Sequence, residues 1–397
     1  MPWKIVSLLK ARQHLVEAML ADGFTVQNLC DRFGISRKTA YKWLNRFRQH
    51  GLSGLRDQSR RPRHATNQLS SRWLKIIVRL RRARPHWGAQ KIHRYVRRQF
   101  PRRRLPCTRT VHRWLQRGGW MRPRPRRARR GPTVPHPGLT AARWPNHVWT
   151  VDFKGWFRTD DGVRQEPLTV RDLFSRYGLC LRLLPNQEDQ AVRAAMGELF
   201  AARGLPTAIR VDNGSPFGGT GALGLSRLSV WWLRLGIRVE FMRRARPGDN
   251  AAHEQFHGCY EREMAAEGGS ARRSMQNRST RWLAHYNQER PHEALAGHTP
   301  DEIYSNSRRA YPKELPPLTY PHAWEVRRVR NHGHIKWRGR LRFVGRAFVK
   351  QTIGLKPLAA NVHAIYLGKL LIGHLHERDR GGLRPAHWRR HQDELKM

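Results

Sequence analysis

Between residues 14 and 49 the apolar positions recur with a helical period in three short runs. The middle run, 25-TVQNLCDRF-33, opens on Thr25 as an N-cap and keeps Val26, Leu29 and Phe33 on one face. Gly34 supplies a tight turn, and Ser36 caps the next run, 37-RKTAYKWLNRFRQ-49, whose apolar stripe is Ala40, Trp43, Leu44 and Phe47. Arg37, Lys38, Lys42 and Arg46 fall on the outer face. Two helices joined by a glycine turn, the second with a basic outer face, predict a helix-turn-helix DNA reader over residues 1–55. A basic linker (56–69) leads to a second helical block at 70–120, where Thr108 reads as an N-cap and Val111, Trp114 and Leu115 have helical spacing. Another helix-turn-helix-like DNA-binding pair and a structural connector both fit that block.

Past a Pro/Arg tether (121–140) the period changes. Strand-like runs cover 147–153, 166–174, 177–184 and 207–213, with a helical run at 188–204 between the last two and further helices at 226–236 and from 250 onward. Strands followed by helices predict a layered α/β domain over 141–312. From 320 to 378 short β runs return, with hairpins expected around Gly339 and Gly368, and the expectation is a small basic β-barrel followed by a basic tail (379–397).

Charge changes the picture. Lys and Arg number 77 against 29 Asp and Glu, a formal net charge of +48. So large a same-sign excess self-repels unless a polyanion neutralises it. A phosphate backbone is the expected partner, and arginine suits its bidentate contacts. Arg126, Arg127, Arg129 and Arg130 place the tether along such a backbone, although a plain spacer has the same composition. The cysteines Cys30, Cys107, Cys180 and Cys259 are scattered with no CxxC pair, which argues against a disulfide scaffold or a zinc finger. No apolar run approaches membrane-spanning length, so the expectation is a cytoplasmic, nucleoid-associated protein with no membrane partner.

Against that background the acids stand out. In the strand 147-HVWTVDF-153, Asp152 shares a side with Val148 and Thr150, and a second strand ends at Asp212, where Asn213-Gly214 breaks the run. Asn250 reads as the cap of a helix that carries Glu254 in its first turn. Its stripe is Phe256, Cys259, Tyr260 and Met264, while Glu254, His257, Gly258 and Glu261 share a neighbouring face. Each acid alone has a bland reading as a turn former, a cap or a solvated helix residue. Together, in a basic chain, they predict a site for Mg²⁺, with two ions roughly 4 Å apart clamping the attacking and leaving oxygens of a phosphoryl transfer. Asp160, Asp161, Asp172, Asp249, Glu261 and Glu263 are the rivals. Of these, Asp160-Asp161-Gly162 reads as a hairpin turn and Asp172 as structural.

These residues resemble the DDE transposases of bacterial insertion sequences, with a retroviral-integrase-like core. The similarity is carried by 144-WPNHVWTVDFKGWF-157, 169-TVRDLFSRYGL-179, 209-IRVDNGSPF-217, 250-NAAHEQFH-257 and 286-YNQERPHEALAGHTPDEIY-304. It implies a multidomain α+β chain: N-terminal helix-turn-helix domains, a central RNase H-like α/β core and a C-terminal small β-barrel. It also implies Asp152, Asp212 and Glu254 as the catalytic and metal-binding triad, holding Mg²⁺ or Mn²⁺. The implied reaction is nicking at the element's ends and attack of the freed 3′-OH on target DNA, with no covalent enzyme intermediate. The implied partners are double-stranded DNA (terminal repeats and target) and further copies of the chain in a dimer or larger assembly. Two features depart from the family. The segment before Glu254 is short, with Ala251 where glycine is expected, and the stretch from Asp212 to Glu254 is longer than in retroviral integrases. The short segment leaves a second reading, a DNA-binding regulator that has lost catalysis.

Overall fold

A computed structural model describes residues 7–21, 23–58, 71–121, 138–243, 247–264, 271–379 and 381–386. The chain divides into two compact units, Met1–Ser70 and Ser71–Met397.

The first unit is three helices: α1 (Leu8–Leu20), α2 (Val26–Phe33) and α3 (Arg37–His50). The side chains of Thr25 and Ser36 accept the backbone N–H groups of Asn28 and Thr39, so both predicted caps are present. Gly34 sits in the left-handed conformation (φ 63°) between α2 and α3. Leu15, Val16, Leu29, Ala40, Trp43, Leu44 and Leu55 form one buried core.

The second unit begins with α4 (Ser71–Ala83), α5 (Ala89–Gln99) and α6 (Thr108–Arg117), packed around Ile77, Trp87, Ile92, Val96, Val111 and Leu115. The N-cap of α6 is Cys107, without a side-chain cap bond, and not Thr108, which is already helical. Arg84 pairs with Glu289 at 2.7 Å and Arg98 with Glu302 at 2.8 Å, which ties these helices to the segment that follows the central sheet.

That sheet is built from β1 (Val148–Phe153), β2 (Phe157–Arg158), β3 (Arg164–Asp172), β4 (Gly178–Leu184), β5 (Ala208–Val211) and β6 (Arg238–Phe241). Its order is β2-β3-β1-β5-β6, with β4 also pairing along β3. The β1–β3 and β3–β4 ladders are antiparallel, and β1–β5 and β5–β6 are parallel. One face packs on α7 (Asp189–Arg203) and α8 (Arg227–Arg234) through Trp149, Val151, Val170, Phe200, Val211, Trp231 and Trp232. The other face carries Leu181 and Leu183 against α9 (Ala251–Met264) and α10 (Arg272–Gln288). A short α11 (Pro300–Ile303) with a Thr299–Glu302 capping box follows. No helix among the described residues is long and apolar enough to cross a membrane.

The C-terminal segment holds β7 (Glu325–Arg328), β8 (His334–Trp337), β9 (Arg340–Phe343), β10 (Thr352–Ala359), β11 (Val362–Leu367), β12 (Leu370–His376) and β13 (Arg384–Pro385). Both predicted hairpins form, with Gly339 (φ 74°) and Gly368 (φ 59°) at their turns. The expected barrel does not. Among the described residues there is an open sheet, β13-β12-β11-β10-β7, and a separate β8–β9 ribbon. A barrel closes to cover its apolar interior. Here cover comes from elsewhere, since Trp337 of the ribbon and Ala222, Leu223 and Leu225 of the central domain share one buried cluster with Ile353, Leu355, Ile365 and Ile372.

Candidate active site at the acidic end of the central sheet

Alternation along β1 sends Trp149 and Val151 into the α7/α8 core and Thr150 and Asp152 to the opposite side. Parallel pairing sets Val148 against Ala208 and Thr150 against Arg210, and the same offset two residues further on sets Asp152 beside Asp212, just past the end of β5. Glu254 is exposed in the first turn of α9.

The electrostatics register that convergence. The carboxyl of Asp152 is pushed up to about 7, first by burial, then by the negative charge of Asp212, with Glu254 adding to it. Asn250 opposes the rise, because its Nδ2 donates to Asp152 Oδ2 at 2.7 Å. Asp212 is also raised by desolvation, against the backbone N–H of Gly214. The negative charges of Asp212 and Glu254 disfavour the ionised form of Asp152, and a divalent cation would relieve that. The donor set fits such an ion: it offers carboxylate oxygens, and Asn250 Oδ1 is buried with no hydrogen-bond partner. Asn250 is therefore more than the cap expected from the sequence. It lies in a short 3₁₀ turn, Pro247–Asn250, ahead of α9.

Asp152, His253 and His257 offer ligand atoms within 4.8 Å of one another. Both ring nitrogens of His253 are already engaged, Nδ1 with Thr150 Oγ1 at 2.7 Å and Nε2 with Thr169 Oγ1 at 2.6 Å. His257 Nε2 meets the same Thr169 oxygen at 2.7 Å. Burial lowers the first ring well below its ordinary range and the second to about 3, so both are neutral. The oxygen donors suit Mg²⁺ better than this engaged imidazole pair. The sequence assigned no role to His253, Thr150 or Thr169, because each read alone is an ordinary helix or strand residue.

The rival acids are occupied elsewhere. Asp172 accepts from the N–H of Asn146 (2.8 Å) and from both the N–H and hydroxyl of Ser175 (2.7 and 2.6 Å). Asp249 holds Arg243 through Nε at 3.0 Å and Nη2 at 2.7 Å. Glu263 accepts from Trp282 Nε1 and Arg290, Glu261 lies 3.6 Å from Lys154, and Asp160 and Asp161 sit in the β2–β3 turn. At mid-helix Gly258, Arg262 Nη1 of the same helix lies 3.3 Å from the position a Cβ would take.

In the first unit, Arg37, Lys38 and Lys42 are exposed on α3, whereas Arg46 is half-buried with its guanidinium 5.2 Å from the Trp43 ring centroid. Exposed Tyr41 and Asn45 join that outer face and were not singled out in the sequence. Arg126, Arg127, Arg129 and Arg130 lie outside the described residues.

Family models match a helix-turn-helix domain at residues 11–63, a homeodomain-like domain at 39–115 and an integrase core domain at 142–247 and again at 235–300. A further model, the C-terminal domain of IS481 family transposases, matches 324–380. The chain is 28% identical over 283 residues to the uncharacterized 39.2 kDa protein of insertion element IS476 from Xanthomonas euvesicatoria, covering 70% of this chain and 77% of that one. It is 27% identical over 254 residues to the uncharacterized 31.7 kDa protein of IS407 from Burkholderia multivorans, covering 62% and 84%. Among solved structures, the HTLV-2 integrase catalytic core domain in complex with magnesium aligns with 41% of this chain and 98% of its own at 16% identity and a TM-score of 0.32. A simian T-cell lymphotropic virus intasome chain aligns with 74% and 97% at 15% identity and a TM-score of 0.37.

Proposed function

We propose that this chain, an integrase-core protein of the insertion-sequence transposase group with helix-turn-helix DNA-binding modules, binds the terminal repeats of its element and joins their freed 3′-ends to target DNA. The observation that carries the reading is the buried Asp152 carboxyl under the negative charge of Asp212 and Glu254 at one end of the sheet. Those three residues would hold Mg²⁺ or Mn²⁺. When bound, a pair of such ions supplies charge neutralisation to the attacking and leaving oxygens of an in-line phosphoryl transfer.

The remaining work falls to the chain itself. Asn250 fixes one oxygen of Asp152, leaving the other to hold a cation. Arg37, Lys38 and Lys42 of α3, with Arg46 beside them, meet DNA at the first unit. The +48 net charge makes binding a counterion-release process, with log K falling linearly in log[salt]. Two element ends must be held together, so a dimer or larger assembly on double-stranded DNA is part of the proposal.

The test pairs wild type with Asp152→Asn on labelled element-end DNA, with and without Mg²⁺. The variant is expected to bind ends with an affinity within about threefold of wild type and to lose nicking and joining entirely. Joining at the wild-type rate would falsify the assignment. The alternative, a regulator without catalysis, rested on the short segment before Glu254. Asn250 at the end of that segment reaches Asp152, which favours the catalytic reading.

A further inference from the structure

Thr169 lies directly across the β1–β3 ladder from Asp152, and Thr150 lies across from Arg171. All four side chains are on the face that α9 covers, and Thr150, Thr169 and His253 are buried there. The single hydroxyl proton of Thr169 goes to the backbone carbonyl of Asp152, at 2.9 Å. Its oxygen therefore receives rather than gives at its two other contacts, His253 Nε2 (2.6 Å) and His257 Nε2 (2.7 Å). Both imidazoles must bring an N–H on Nε2. With its proton on Nε2, His253 is left with a lone pair on Nδ1, which accepts the hydroxyl of Thr150 at 2.7 Å. Arg171 completes the seam by donating to the carbonyl of Ala252 and lying over the ring of Phe256.

We infer that Thr150, Thr169, His253 and His257 are positioning residues: a hydrogen-bonded seam that fixes the register of α9 on β1 and β3 and so sets Glu254 against Asp152. The inference rests on the functional reading above, since it assigns the seam the task of holding one cation-binding acid at a fixed distance from another. Apolar packing alone would tolerate sliding and rotation of the helix, whereas directed bonds to two strands do not. Glu254 and His257 are separated by one helical turn, so an angular error at the seam displaces the carboxylate by a comparable amount. Removing the hub oxygen leaves two buried N–H donors without an acceptor.

Thr169→Val and Thr169→Ser in the full chain separate this role from bulk stability, because valine keeps the shape and loses the oxygen while serine keeps the oxygen. Mn²⁺ binding is measured by calorimetry without DNA, alongside thermal unfolding and element-end affinity. The expected result is a Mn²⁺ half-saturation at least tenfold higher for Thr169→Val, within about threefold of wild type for Thr169→Ser, with end affinity unchanged in both. Wild-type binding that Thr169→Val leaves unchanged overturns the positioning role alone. Absence of Mn²⁺ binding in wild type overturns the functional reading and the positioning role with it. Independently of any metal, ¹⁵N-labelled histidine spectra of wild type, assigned by difference with His253→Gln and His257→Gln, should show both rings as the Nε2–H tautomer. An Nδ1–H form at either ring, with Nε2 bare, overturns the seam.

Discussion

The two faces of the central sheet are held by different physics. On the α7/α8 side, Trp149, Val151, Phe200, Trp231 and Trp232 form a hydrocarbon layer in which position follows shape and volume. On the α9 side, the same strands present Thr150, Asp152, Thr169 and Arg171, and the helix answers with His253, His257 and Phe256. Strand alternation produces both faces from one sequence, because neighbours in β1 point oppositely. The contrast separates two tasks. Burial of apolar area stabilises the domain without fixing direction, whereas the hydrogen-bonded side contributes less net energy per contact and fixes direction.

The largest expected effect lies on the hydrocarbon face. Phe200 is fully buried among Trp149, Trp231 and Tyr311. Phe200→Ala should cost about 3–5 kcal/mol of unfolding free energy, measured by urea denaturation. Joining per folded molecule should stay near wild type, because nothing on the α9 side changes. A large loss of joining in molecules that remain folded would contradict the division of labour between the faces.

On the acidic side the sign reverses. Asp152 is destabilised as an anion by burial and by its neighbours, so the metal-free protein should gain stability when that charge is removed. Asp152→Asn is expected to be more stable than wild type at pH 7.5 in EDTA by on the order of 2 kcal/mol, allowing for solvent screening of a half-buried group. Added Mn²⁺ should raise the melting temperature of wild type and leave the variant nearly unmoved. Equal responses would show that Asp152 is not part of a cation site.

Much of this was legible in the sequence. Asp152 and Asp212 showed themselves as acids late in apolar strands, and Thr25, Ser36 and Gly34 punctuated the first helices, because alternation, capping and left-handed turns are local. The seam around Thr169 was not legible. It joins residues far apart in the chain, and each of its members reads alone as an ordinary strand or helix residue. The C-terminal barrel failed for a related reason: closure depends on what covers the sheet, and Leu223 comes from the central domain. Asn250 was read as a cap because its local context fits one, and only the fold reveals its bond to Asp152.

The smallest effect is a pH dependence, and it discriminates between the two titratable components of the α9 face. His257 is held down to about 3 and His253 well below its ordinary value, so between pH 6.5 and 4 the unfolded chain binds protons on both rings and the folded chain on neither. The state that binds more protons gains as pH falls, so the fold loses about 1 kcal/mol per ring over the first pH unit below 6.5. Asp152 acts in the opposite direction. With its folded value at about 7, the native carboxyl takes up a proton that the unfolded one, near 4, does not, which offsets part of that loss. Stability of wild type in EDTA should therefore fall from pH 7 to 5.5, and fall more steeply in Asp152→Asn, where the offsetting carboxyl is gone. Parallel profiles for the two proteins would mean that Asp152 is not the raised acid. A wild-type profile that rises on acidification would mean that the buried histidines are not neutral.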